Sequence, residues 1–239
     1  MKLLFFVGAV VVSVMAAERG VCAQSNTPYP HSTEAPLQMY RMASPAEEIA
    51  LARTAAPPSV SMQATVLVLG ARGYETAVKG KNGFVCFVER SWAAGFDDVV
   101  FWDRTIRAPN CFNPPAVRTE LRQVLKRTEW VMAGANKQQL IARTRAAFAN
   151  HTFTEPAPAS FSFMLSKKGY LGDQAGGPWL PHVMFFVPHG QVGAWCAGLD
   201  GSPVLGGGGS DIESAVLYVP VRKWSDGSPA PPVHVHHAM

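Results

Sequence analysis

The pattern of apolar and polar positions changes period several times along the chain, and each change predicts an element. Thr65 to Leu69 and Phe84 to Glu89 are largely apolar on both faces, which predicts strands at the centre of a sheet covered on each side. Between them lies a third strand-sized run, Tyr74 to Val78, with Gly70 and Gly73 before it and Gly80, Asn82 and Gly83 after it. That punctuation predicts an antiparallel meander. A second block of strands is predicted over Phe161 to Leu165, His182 to Val187, a short piece around Trp195, and Ala215 to Val221.

Helical spacing appears in three places. Ser44, Pro45, Ala46 and Glu47 supply a cap, a proline for the first turn and a glutamate that can return the capping bond, so a short helix should run to about Ala55, before Pro57 and Pro58. Pro114 and Pro115 open a longer one, in which Val117, Leu121, Val124, Leu125, Thr128, Val131 and Met132 recur at steps of three and four. Gly134 ends it, and Asn136 with Gln139 restarts a helix carrying Leu140, Ile141, Ala147 and Phe148 on one side. The stretch between strand and helix that carries Trp92, Trp102 and Cys111 reads as irregular. The predicted fold is α+β, a mainly antiparallel sheet packed by a helical hairpin and a short N-terminal helix.

The beginning of the chain follows a different logic. Lys2 precedes an apolar run from Leu3 to Val12 that continues through Ser13 to Ala17 and is closed by Glu18 and Arg19. One positive charge before a short apolar core predicts a secretory signal peptide. The run falls short of the roughly 20 apolar residues needed to cross a bilayer. Val21 and Ala23 suit the subsites of signal peptidase, predicting a cut between Ala23 and Gln24 that removes Cys22. A lipoprotein anchored at Cys22 fits less well, because Val21 and Arg19 stand where a small residue and a leucine are wanted. The organisation predicted is therefore a signal peptide over 1–23, a proline-bearing leader over 24–43, one domain over 44–224 and a Pro/His-bearing tail over 225–239. No transmembrane span is expected after cleavage.

A net charge of +4 is too small to argue for nucleic acid, and none is expected as a partner. Arg118, Arg122 and Lys126, at four-residue steps, read as a solvated helix face. Export would place the protein in the periplasm or outside the cell, where its remaining cysteines meet an oxidising medium. A bridge between Cys86 and Cys111 is predicted, pinning the irregular stretch between them and leaving Cys196 as a free thiol; the other two pairings remain open.

Chemical motifs are few. There is no Gly-x-Ser-x-Gly, Ser-x-x-Lys, His-Glu-x-x-His or Cys-x-x-Cys. The run Gly206 to Gly209 followed by Ser210 lacks the lysine of a phosphate loop and reads as a hairpin connection. His234, His236 and His237 have spacings open to metal, but they follow a proline-rich stretch at the chain end and read as a loose tail, so no metal is assigned. The long connection from Gly169 to His182 holds Tyr170, Asp173, Trp179 and His182, which offer stacking surface, a carboxylate and a titratable ring. These four are the candidate binding residues, and His182 is the candidate catalytic residue. As a packed surface loop the same segment would have His182 merely starting a strand.

The run Ala64 to Trp92, together with Cys111-Phe112-Asn113-Pro114-Pro115, Lys168-Gly169-Tyr170-Leu171 and Pro181 to Phe186, resembles a group of uncharacterised secreted bacterial proteins. The resemblance covers most of the chain after the leader and implies export. It brings no activity, ligand, cofactor or catalytic residue with it.

Two function classes follow. A non-enzymatic envelope domain that binds a small molecule or an envelope partner comes first, because aromatic-bearing loops on a rigid sheet suffice for binding. A secreted hydrolase using His182 as base or metal ligand is the alternative. The signal-peptide reading is checked by intact-mass measurement on protein recovered from the cell envelope. The expected chain begins at Gln24, and a mass retaining Met1, or a lipid on Cys22, would overturn it.

Overall fold

The computed structural model describes residues 33–172, 180–206 and 212–232. The predicted signal peptide and the start of the leader lie outside the described residues. Among the described residues eight strands form one sheet: β1 (Thr65–Leu69), β2 (Tyr74–Val78), β3 (Val85–Glu89), β4 (Ala108–Phe112), β5 (Phe161–Met164), β6 (His182–Val187), β7 (Leu205–Gly206) and β8 (Ala215–Pro220). Their order across the sheet is β2-β1-β3-β4-β5-β6-β8-β7. Every neighbouring pair is antiparallel except β1 and β3. The fold is α+β with a mainly antiparallel mixed sheet.

Two parts of the sheet differ from the sequence reading, each for a physical reason. The first three strands are not a meander, since β1 lies between β2 and β3 and runs parallel to β3. In β3 the first four residues are buried, whereas the middle of β2 is exposed, so β2 suits an edge and β3 the interior. The connection between them crosses beneath the start of β1, where the Lys81 amide donates to the Gln63 carbonyl (2.7 Å) and the Asn82 side chain to the Val60 carbonyl (2.8 Å). A side chain at Gly80 would meet the Ala64 carbonyl carbon at 2.2 Å, so this crossing requires glycine. The second difference is β4, a fully buried central strand in a stretch read as irregular. Its Pro109 faces Val88 of β3, while β5 pairs only with Cys111 and Phe112, so the missing N–H falls beyond the β5 ladder.

The helices are α1 (Pro45–Arg53), α2 (Pro58–Ser61), α3 (Pro114–Arg118), α4 (Glu120–Met132) and α5 (Lys137–Ala149). Ser44 caps α1 by accepting from the Glu47 amide at 3.2 Å, and Asn136 with Gln139 forms a full capping box on α5. The predicted long helix is broken at Thr119, whose backbone sits at φ −116°, ψ −73° and whose hydroxyl donates back to the Pro115 carbonyl at 3.3 Å. The residues around Trp195 form a 3-10 helix over His189–Trp195, not a strand, in a segment interrupted by Gly190 and Gly193.

Each face of the sheet is covered by different material. Along β3, Cys86 and Val88 point to one side, where they pack with Val66, Cys111 and the small residues Ala52, Ala55 and Ala56 at the end of α1. Val85 and Phe87 point to the other side, where Phe112, Ala116, Leu121, Met164, Met184 and Phe186 join them, with Val117, Val124 and Leu125 packed against the cluster. Cys86 and Cys111 are direct cross-strand partners and are joined by a buried disulfide, the pairing predicted from sequence; Cys196 is a free, exposed thiol. Closing a loop of this size contributes on the order of 3 kcal/mol in the chain-entropy model. Tyr40, near the end of the segment read as leader, is completely buried and tilts against Trp92 with ring centroids 4.9 Å apart. Beyond residue 224, the Ser225 amide donates to the Leu165 carbonyl and Lys223 bridges to Pro229, so the first residues of the predicted tail are attached to the domain.

Arg90, 1% exposed, ties these parts together. Its Nε donates to the Tyr40 carbonyl at 2.6 Å, one terminal nitrogen donates to the Val88 carbonyl, and the other reaches Glu48 Oε1 at 2.8 Å. The same Glu48 oxygen accepts from the Leu69 amide at 3.2 Å. Removing one member of a buried pair strands the other, at a cost of about 3–5 kcal/mol. Glu48→Ala is therefore expected to lower unfolding stability by about that amount in urea titrations. A loss below about 1 kcal/mol would mean that the pair behaves like a surface salt bridge.

Candidate functional site

A cavity of about 960 Å³ lies over the second face of the sheet. Its floor is made by Phe112 of β4, Met164 of β5, Met184 and Phe186 of β6, and Val216 of β8. Strand alternation aims all of them to one side, because Phe112 is paired through β5 with Met184, and Phe186 faces Val216. The roof is the α4 face bearing Glu120, Gln123, Val124 and Arg127, continued by residues 91–95 and 98–100. Small-molecule sites typically enclose about 300–1,000 Å³ with mostly apolar walls and a few placed polar groups, and this cavity matches that description.

The long loop named from sequence borders the cavity through its described ends. Gly169, Tyr170, Leu171, Gly172, Leu180 and His182 all line the wall. Tyr170 is fixed by a pair of backbone hydrogen bonds with Arg107, at 2.9 and 2.8 Å. His182 begins β6 opposite Met164 and Pro220, and its ring meets Tyr218 edge-on at 5.4 Å. Its Nδ1 lies 2.8 Å from the Leu180 carbonyl. A carbonyl only accepts, so Nδ1 carries the proton and Nε2 keeps the lone pair. Burial lowers the His182 pKa, partly offset by that hydrogen bond, and favours the neutral ring. Asp173, Trp179, His234, His236 and His237 lie outside the described residues.

Three wall residues escaped the sequence reading. Glu89 ends β3 on the same side as Val85 and Phe87, and its Oε2 accepts from the Asn110 side chain at 3.1 Å. Burial pushes its carboxyl up to about 7, against the lowering effects of that hydrogen bond and of the Arg127 charge. Glu120, 6% exposed, is likewise raised to about 7 by burial, with Ser214 and Arg127 opposing and Glu155 adding to the shift. Arg127 makes an ion pair with Glu213 at 2.8 Å, donates to the Trp92 and Ala94 carbonyls, and stacks 4.3 Å above the Phe96 ring. The signal for Glu89 was present, as a lone carboxylate at the inward register of an apolar strand. That for the other two was also present: Glu120, Gln123, Val124 and Arg127 recur at helical steps beside the stripe.

Tyr218 keeps 37% of its surface exposed, yet burial around its phenolic end raises its pKa, with the Glu89 and Asp98 charges adding to the effect. A smaller hollow of about 450 Å³ is lined by Arg72 to Glu75 and Glu129. Its Tyr74 hydroxyl is already committed to the Val88 carbonyl at 2.6 Å. Among the described residues no three His, Cys, Asp or Glu side chains gather as metal ligands would.

The raised carboxyls fix a pH dependence. Glu120 has an ordinary value of 4.5 and a folded value of about 7, so between these the folded protein binds more protons than the unfolded chain. Its contribution is full below about pH 4.5 and is lost as pH rises through 7. Urea unfolding at pH 5, 6, 7 and 8 should show Glu120→Gln stabilised relative to the parent at pH 8 but not at pH 5. An unchanged difference across that range would mean that Glu120 titrates normally.

Comparison with protein-family models, with curated proteins and with solved structures finds no match for the chain, so the reading of this site rests on its own residues.

Proposed function

We propose that this is an exported, non-enzymatic binding domain whose cavity over the sheet takes up a small, largely apolar molecule. The observation that carries the reading is the cavity itself: a ligand-sized volume over an aliphatic and aromatic floor, edged by polar and ionisable side chains. Export is supported by the predicted signal peptide, by the resemblance to secreted proteins and by a buried disulfide of the kind an oxidising compartment permits. Among the described residues no helix is long and apolar enough to cross a membrane. Tyr170 and His182 contribute a phenol and a neutral imidazole at the rim, suited to orienting a polar group on the ligand.

The hydrolase alternative has one observation in its favour, the His182 tautomer that presents Nε2 as a base. It also needs a nucleophile or a water activated at that nitrogen. The two readings separate in a thermal-shift screen of small molecules combined with an ester-hydrolysis assay. On the binding reading, ligands at about 100 times their Kd stabilise the parent by about 2.7 kcal/mol. They should fail to stabilise Val216→Phe, which fills the floor, and bind about tenfold more weakly to His182→Ala. Ester turnover abolished by His182→Ala would replace the binding reading with the hydrolase. Ligands that stabilise Val216→Phe as well as the parent would remove the cavity from either account.

A further inference from the structure

The charges in the cavity wall do not balance. Of the two guanidinium groups there, Arg90 is paired with Glu48 and Arg127 with Glu213. Glu89, half-buried, and Glu120, buried, remain, lining the same cavity as a neutral His182 and the phenols of Tyr170 and Tyr218, while the Asp98 side chain at its edge is exposed. Arg127 acts electrostatically on both Glu89 and Glu120, which do not act on each other, and its hydrogen bonds go to Glu213 and to backbone carbonyls. Glu89 and Glu120 make no ion pair among the described residues. A buried carboxylate left in that condition has two ways to lower its energy, which are to take a proton or to take a cation.

A second feature of the wall points to an occupant. Ser91 is 1% exposed and lines the cavity, yet its hydroxyl has no hydrogen-bond partner among the described residues. Thr144, Ser160, Ser162 and Ser214 are open in the same way, but Ser91 is one that lies beside the cavity, where a bound polar group can complete its bonding. The Tyr218 ring also lines the cavity and adds aromatic surface to it. A metal ion would need several close oxygen or nitrogen ligands, and no such group occurs among the described residues. An organic cation needs only one or two carboxyls and an apolar bed for the rest of its body.

Resting on the reading of the cavity as a small-molecule site, we propose that its ligand is an amphipathic organic amine. The apolar body lies on Phe112, Met164, Met184 and Phe186, and the ammonium group is held by a carboxylate of the wall, at Glu89 or at Glu120. Arriving as a cation, the amine displaces the proton from a carboxyl that held one, and that proton leaves to solvent. Charge in the wall is then conserved: one proton out for one ammonium in.

The test uses three probes of matched shape, 4-phenylbutylamine, 4-phenylbutan-1-ol and 4-phenylbutanoate, titrated calorimetrically into the purified protein at pH 7 in two buffers of different ionisation enthalpy. The amine is expected to bind at least tenfold more tightly than the alcohol, with the carboxylate weakest, and to release protons on binding. In Glu89→Gln/Glu120→Gln the amine should lose its advantage over the alcohol, and proton release on binding should disappear. An alcohol or carboxylate that binds the parent as tightly as the amine would overturn the choice of ligand class and leave the small-molecule reading standing. Failure of all three to bind would overturn both. Proton release and probe ranking are read on the parent protein, so the outcome does not depend on the double variant folding.

Discussion

Arg90 is the fixed point around which the domain is organised. It sits at the end of β3, buried, and binds at once to the leader through Tyr40, to α1 through Glu48 and to its own strand through Val88. Glu48 in turn holds the end of β1 through the Leu69 amide. Four separate pieces of chain are thereby registered by one guanidinium. A buried ion pair is a poor source of net stability compared with a well-packed apolar contact, since both charges must be stripped of water. Its value here is geometric: the guanidinium nitrogens satisfy acceptors that no single apolar side chain could bring to one point. The leader is held by the same device, because Tyr40 donates to the Trp102 carbonyl at 2.9 Å and accepts Arg90 on its own carbonyl.

The two faces of the sheet divide the work that follows. On the α1 face the core is made of alanines, valines and the Cys86–Cys111 bridge, small groups that let helix and strands approach closely. On the other face the groups are large, phenylalanines and methionines, and α4 crosses over them without filling the space above β5, β6 and β8. The disulfide lies on the α1 face and the open volume on the other, with Arg90 reaching the edge of the cavity. Glu89 belongs to both regions. It follows Val88 on the strand that the disulfide and Arg90 hold, and it faces the cavity.

Much of this arrangement was legible in the sequence, and the failures have particular causes. Strands β1, β2, β3, β6 and β8, helix α1 and the capping box of α5 announce themselves through periodicity and punctuation that depend on neighbours in the chain. The Cys86–Cys111 pairing could be anticipated because both cysteines flank one loop. Strand β4 was hidden because Pro109 and Asn110 are poor strand formers whose cost is absorbed by tertiary position, with Asn110 bonded to Glu89. The order β2-β1-β3 was hidden because it depends on the fit of Gly80 beneath Ala64, a contact between distant parts of the fold. Tyr170 and His182, which sit in a conspicuous loop, line the cavity. Glu89, Glu120 and Arg127 were passed over because each, taken alone, resembles an ordinary polar residue at the margin of an apolar element.

Their placement matters because stability and binding pull them in opposite directions. Burial raises Glu89 and Glu120 to about 7, so in the empty cavity ionising them opposes folding, and two glutamines would satisfy the fold better. Apart from the bond that Glu89 accepts from Asn110, the ties that register the domain are made elsewhere, by Arg90 with Glu48 and by the disulfide. Neither carboxyl takes part in those. Groups that weaken the empty protein at neutral pH, yet occupy the wall of a ligand-sized cavity, are accounted for if what they lose in folding is recovered when the cavity is filled. Arg127 fits the same argument from the other side. With Glu213 as its partner and two backbone carbonyls as acceptors, it stiffens the roof without neutralising the carboxyls beside it, and so keeps the wall negative at the place where an ammonium group would enter.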